Sequence, residues 1–234
     1  MPGAWSNGYP WPALFPAAVT LATVASDGVV NAEERRTATL WQVGHEAALP
    51  GAVIQLYRDD VLVKSVTAAA GATSTAISMS GAEWGVDGQH QFKARMVDPT
   101  GGAGSWSVVS NVRVDTSPPA AVVVPVIAGD DRVNAVEKAA GVAIVIPHEA
   151  AQPGSVLQIN RDGADLRTVS LSDASVTTTV TLLAADLGAD GVHVFKFRMI
   201  DSAGNIGAWS SERRVLVDTV ADAAPVVEIV AEDN

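Results

Sequence analysis

A 234-residue chain with a net charge of −11 and 48% hydrophobic residues is a globular protein of one large or two ordinary domains. The absence of cysteine excludes a disulfide framework, a thiol nucleophile and a Cys-zinc site. The acidity excludes charge-driven binding to nucleic acid or an anionic membrane, and it suits divalent cations, whose ligands are carboxylates and carbonyls.

Residues 1–16 carry four of the twelve prolines, which forbid a long helix or a central strand there. Trp5, Tyr9, Trp11, Leu14 and Phe15 are a heavy apolar load for such a segment. It either folds back on the first domain or docks into another protein through Trp5, Tyr9, Trp11 and Phe15. No basic residue precedes Arg35, and Pro10, Pro12 and Pro16 interrupt the apolar run, so the segment is no secretory signal. A role outside the cell therefore implies another export route or assembly into a particle. No stretch is continuous enough for a transmembrane helix.

The rest of the chain is a duplication. Asp201-Ser202-Ala203-Gly204-Asn205 with Trp209-Ser210 and a closing Val217-Asp218-Thr219 stands 103 positions after Asp98-Pro99-Thr100-Gly101-Gly102 with Trp106-Ser107 and Val114-Asp115-Thr116. At that offset, without a gap, the copies share Asp27/Asp130, Asn31/Asn134, Glu34/Glu137, His45-Glu46/His148-Glu149, Arg58-Asp59/Arg161-Asp162, Asp87-Gly88/Asp190-Gly191 and His90/His193. The expected units are residues 17–116 and 120–219, joined by a Pro-stiffened linker over 117–119 that restricts the angle between them. Residues 220–234 then supply a second linker and the first strand of a third unit, so the chain is expected to be part of a longer repeat or to complete a neighbour by strand addition.

In the second unit, strands are expected over 121–127, 141–147, 155–161, 166–171, 175–182, 192–200 and 209–217, with turns at Asp162-Gly163 and 188–191. His193, Phe195, Phe197 and Met199 alternate with Val194, Lys196 and Arg198, the period of a strand with one buried and one wet face. Helix is confined to short pieces over 134–139 and 182–188. The fold class is all-β: tandem immunoglobulin-like antiparallel β-sandwiches. Trp106 and Trp209, at the start of the last strand, read as core anchors, as do Trp41 and Trp84, whose counterparts are Ile144 and Leu187. His90 and His193 read as satisfied core residues, and His45 and His148 as hydrogen-bonded turn residues.

The order Asp-x-x-Val-Asn-x-x-Glu, Gly-Ala-Asp-Gly before a strand, Asp-x-x-Gly-Asn and a closing Val-Asp-Thr resembles the bacterial immunoglobulin-like repeats of large adhesins. The resemblance covers residues 17–234. It implies spacer modules that hold a binding domain away from a surface, with calcium stiffening the joints. Ala4-Trp5-Ser6-Asn7-Gly8-Tyr9 resembles, more loosely, the first residues of some tailed-bacteriophage virion proteins.

Asp130, Asp131, Asn134, Glu137, Asp201, Asn205 and Asp218 are the candidate calcium ligands, if they converge at one end of the second unit. The alternative is that they make turns and caps through their own side chains. In the first unit Gly102 and Gly28 replace Asn205 and Asp131. No nucleophile elbow, phosphate-cradling loop or zinc helix is present, so no enzyme is expected. The expectation is a structural protein of a phage virion, anchored to other virion proteins by residues 1–16. The alternatives are extender repeats of a secreted cell-surface adhesin and, more distantly, a carbohydrate-binding module. A homo-oligomer, or a host-surface glycan or protein as partner, fits each of these readings.

Overall fold

The computed structural model describes residues 15–25 and 27–222. It divides between Ser117 and Pro118 into two compact units. Each is a two-layered sandwich with its own core.

In unit 1, β1 (Thr20–Leu21), β3 (Thr39–Gly44) and β6 (Ser74–Met79) form one sheet in the order β1-β3-β6. The facing sheet runs β2-β8-β7-β4-β5, from β2 (Val29–Val30), β8 (Ser110–Val114), β7 (Gly88–Val97), β4 (Val53–Arg58) and β5 (Val61–Thr67). Unit 2 repeats this plan. β10 (Val142–Pro147) pairs with β13 (Thr177–Leu182), opposite a sheet ordered β12-β11-β14-β15-β9, from β12 (Ala164–Ser170), β11 (Val156–Arg161), β14 (Gly191–Ile200), β15 (Arg213–Val217) and β9 (Arg132–Val133).

Period-two patterning sets which side chains meet. Phe92, Ala94 and Met96 point inward from β7, and Phe195, Phe197 and Met199 do so from β14. In unit 1 they close on a cluster in which Trp41 and Phe92 meet edge to face at 5.1 Å and Trp41 stacks on Trp84 at 5.7 Å. In unit 2, Ile144 and Leu187 fill the two tryptophan positions, and all four residues are buried.

Short helices close the ends. Asn31 caps α1 (Ala32–Arg36) and Asn134 caps α2 (Ala135–Ala140), each in a capping box with the Glu three residues on. α3 (Ala184–Leu187) and a 3-10 turn at Gly81–Trp84 precede β14 and β7.

Six of the seven expected strands of unit 2 form within a few residues of their bounds. The first, over 121–127, makes no ladder; its counterpart in unit 1 is only the two-residue β1. The antiparallel expectation needs one correction. β2 pairs with β8, and β9 with β15, in parallel. Two-residue strands are too short to leave a periodic signal in sequence. The expected third-unit strand lies outside the described residues.

Candidate functional site

The two places where the chain enters and leaves each unit are built alike. On the outgoing side, Val114, the last residue of β8, pairs with Gly88, the first of β7. Asp87, just before β7, then accepts hydrogen bonds from the Thr116 hydroxyl at 2.7 Å and the Ser117 hydroxyl at 2.8 Å, with Arg35 3.9 Å away. In unit 2, Asp190 accepts from the Thr219 hydroxyl at 2.8 Å and the Thr219 N–H at 3.1 Å, with Lys138 at 3.7 Å. The threonine hydroxyls are the main cause that holds both carboxyls below the usual carboxylate range.

On the incoming side, Glu46 accepts from the Ala17 N–H and Glu149 from the Ala120 N–H, each at 3.2 Å. The Pro16 carbonyl accepts from the Ser105 N–H, and it crowds Gly104 so closely that a Cβ there would collide with it. A Cβ on Gly207 would lie 2.7 Å from the Pro119 carbonyl oxygen. These contacts sit beside the turn that follows β7 or β14. Ten residues of strand span about 30 Å, so chain entrance and exit lie at opposite ends of each sandwich.

That geometry divides the seven candidate calcium ligands. Asp201 and Asn205 follow β14, whereas Asp218 follows Val217, which pairs with Gly191 at the start of β14. The two groups are therefore a strand length apart. Asp201 accepts from the N–H groups of Ala203 and Asn205 and from the Asn205 side-chain amide at 2.9 Å, closing a turn. Asp131 forms a two-point ion pair with Arg213, at 2.7 and 2.5 Å.

Four of the seven remain together. Asp130, Asn134, Glu137 and Asp218, with Arg132, Val133 and Leu216, line an open depression of about 290 Å³ at the outgoing end. Each has a side-chain oxygen committed to the backbone. Asp130 accepts from the Arg132 N–H, Asn134 from Val136 and Glu137, Glu137 from Asn134, and Asp218 from Val220. Among the described residues no three acidic or histidine side chains gather as metal ligands. Calcium needs six to eight oxygens, and the four side chains, with an arginine beside them, do not by themselves supply that number. Each of the seven thus has a turn, cap or ion-pair partner of its own.

Of the residues expected to dock, Trp5, Tyr9 and Trp11 lie outside the described residues, and Phe15 is 61% exposed. His45 and His148 bond the next residue's carbonyl and a threonine hydroxyl, as turn residues do. His90 and His193 are half-buried, each between an aspartate at 2.6 Å and a backbone carbonyl at 2.8 Å.

Trp106 and Trp209 require correction, because neither is a core anchor. Ser107 and Ser210 are the buried residues, bonding to the N–H of Ala94 at 3.0 Å and of Phe197 at 3.1 Å. With serine turned inward, the preceding tryptophan faces out, and Arg95 and Arg198 lie over the rings at 4.5 and 4.2 Å. Sequence reasoning passed over the tethers Glu46/Glu149 and Asp87/Asp190 as functional residues, although their identity at constant offset is visible in the sequence.

No family model and no curated protein matches the sequence. Among solved structures, a Ca²⁺-stabilized adhesin with which an Antarctic bacterium reaches out and binds ice is 23% identical with a TM-score of 0.51, covering 88% of this chain and 50% of that one. A structure from a 1.5-MDa bacterial ice-binding adhesin is 25% identical with a TM-score of 0.44, covering 87% of this chain and 66% of that one. The fibronectin(III)-like modules of Clostridium thermocellum CbhA are 13% identical with a TM-score of 0.49, covering 88% and 100%. With the sheet order of each unit, the fold is an immunoglobulin-like β-sandwich, present twice. The chain spans half to two thirds of the length of the two adhesin structures. No described helix is long and apolar enough to cross a membrane.

Proposed function

We propose that the chain is a non-catalytic extender segment of a bacterial cell-surface adhesin, working outside the cell. The observation that carries this reading is the tethering of chain entrance and exit at opposite ends of each sandwich, repeated in both units. A module entered at one end and left at the other adds its length to the polypeptide's reach. One entered and left on the same side adds only bulk. The adhesin neighbours support the reading through their fold.

Small-angle scattering on the full chain tests the extension. A compact globule of this length has a radius of gyration of about 18 Å, whereas two 100-residue sandwiches strung end to end give about 24 Å. A value near the lower figure would sink the spacer reading. Gold-labelled antibody separates the locations: label on intact cells supports the adhesin. Label confined to purified phage particles would support the virion reading instead, which rests on residues outside the described ones and draws nothing from the neighbours. Calcium enters only as a test. With one oxygen of each of Asp130, Glu137 and Asp218 committed to the backbone, chelator should leave the thermal melt unchanged, and a lowered melt would restore calcium-stiffened joints.

A further inference from the structure

We propose that the outer face of the five-stranded sheet of unit 1 binds a carboxylate-bearing saccharide, with Trp106 and Tyr57 as the aromatic floor and Arg95 as the partner of the carboxylate. Lys93 and Arg95 project outward from β7, and in register beside them stand Tyr57 and Gln55 of β4. Trp106 lies against both cations, at 4.7 Å from the Lys93 ammonium and 4.5 Å from the Arg95 guanidinium, and meets Tyr57 edge to face at 4.9 Å. Arg95 also lies over the Tyr57 ring at 5.6 Å, and Trp106 keeps 38% of its surface exposed.

Of the two cations, Lys93 is already paired with Asp60, which leaves Arg95. In a chain with 26 acidic and 15 basic residues, its hydrogen bonds go to neutral groups, Gln55 at 2.9 Å and the Tyr57 hydroxyl at 3.4 Å. Among the described residues it has no carboxylate partner. Its remaining N–H donors form the fork that takes a carboxylate at two points. Beside Lys93 a depression of about 150 Å³ opens, lined also by Asp60 and Gln91. A pyranose ring presents an apolar C–H face to an aromatic ring and hydroxyls to such a rim. An acidic peptide such as polyglutamate would bring carboxylates but no apolar ring face to set against Trp106 and Tyr57.

Unit 2 supplies the contrast. Asn160 replaces Tyr57 and is buried, donating to Asp165 at 2.8 Å. Asp165 and Glu212 stand where unit 1 has Leu62 and Val109, and Glu212 lies 3.9 Å from Lys196. The same face in unit 2 therefore carries two carboxylates, against the single Asp60, paired with Lys93, in unit 1. This inference does not rest on the spacer reading.

The full chain is titrated by calorimetry with tetragalacturonate, sialyllactose, neutral maltotetraose and tetraglutamate. Binding of tetragalacturonate or sialyllactose is expected, and which of them binds separates an acidic polysaccharide from a sialylated glycan as the source. R95Q and W106A should each weaken that binding at least about tenfold, while R198Q leaves it unchanged. If W106A does not fold, Y57N installs the unit 2 residue and should weaken it too. No binding of either acidic sugar, equal binding of maltotetraose or tetraglutamate, or full affinity in both R95Q and Y57N would overturn the proposal.

Discussion

The Asp87 carboxylate accepts from the Thr116 hydroxyl at 2.7 Å, and 103 residues later Asp190 holds Thr219 in the same way at 2.8 Å. Each pair ties the outgoing chain to the start of the unit's longest strand. Among the described residues, five aspartates are held below the usual carboxylate range. The hydroxyls of Thr116, Thr219 and Thr100 lead the effect at Asp87, Asp190 and Asp98. At Asp59 and Asp162 burial pushes upward, but the N–H groups of Gln91 and Val194 with the adjacent histidines and arginines outweigh it. A carboxyl with a lowered folded-state pKa binds fewer protons folded than unfolded, so stability rises with pH. The contribution is fully present above the ordinary value of about 3.9 and is lost as pH falls through the lower folded values. Melting temperature should be flat from neutral pH to about 5 and fall steeply below 4. T116V should cost about 1 kcal/mol or less, because the bond is exposed, and should make the acid limb shallower. A melt independent of pH down to 3 would contradict this.

Charge has been exchanged between the copies without being lost. Val29 of β2 faces Arg113 of β8, while in unit 2 the same parallel pair is Arg132 and Leu216. Arg113 lies 2.5 Å from Asp115. R113L should therefore destabilise unit 1 by about 0.5–1 kcal/mol, and V29R/R113L should recover little of it, because Asp218, the counterpart of Asp115, accepts from the Val220 N–H and forms no ion pair with Arg132. The measurement is urea unfolding of the full chain followed by tryptophan fluorescence, since Trp41, Trp84 and Trp106 belong to unit 1 and Trp209 alone to unit 2. A double variant as stable as the parent would show that an arginine on β2 can replace the Arg113–Asp115 pair.

How legible this was depends on range. Alternation in β7 and β14 and the turn at Asp162-Gly163 act within a few residues, so the sandwich could be read directly. Whether seven acidic and amide groups converge is a question of where strands end. Asp201 and Asp218 are 17 positions apart in sequence, yet the length of β14 separates them in space. Trp106 misleads for a subtler reason. A Trp-Ser pair at a strand's edge suggests a buried ring, but the inward position goes to the residue whose hydroxyl satisfies the Ala94 N–H, and that is Ser107.

The β4–β5 hairpin offers a stabilising change. Its two turn residues, Asp59 and Asp60, have φ of 48° and 65°, the left-handed pair that a two-residue hairpin requires. In unit 2 the second position is Gly163. Asp60 also pairs with Lys93, an exposed contact of small worth. D60G should therefore leave unit 1 as stable or raise it by up to about 1 kcal/mol, read as a shifted urea midpoint. A loss of more than that would mean that the Lys93 pair outweighs the backbone strain.

The two buried tryptophans of unit 1 should respond differently to the same substitution. The indole N–H of Trp41 donates to the Ala22 carbonyl at 2.6 Å, and so helps to hold the β1 edge against β3. The indole N–H of Trp84 is buried and has no hydrogen-bond partner among the described residues. Replacing either by phenylalanine removes part of an aromatic cluster and leaves a similar void. Only at Trp41 does it also break a hydrogen bond. At Trp84 it removes an unsatisfied donor that costs about 1–3 kcal/mol to keep buried. W84F should therefore be less destabilising than W41F by at least about 1 kcal/mol in urea unfolding, although both rings are wholly enclosed. Equal losses would mean that packing alone sets the cost, and that the Trp84 N–H meets an acceptor such as the face of a neighbouring ring.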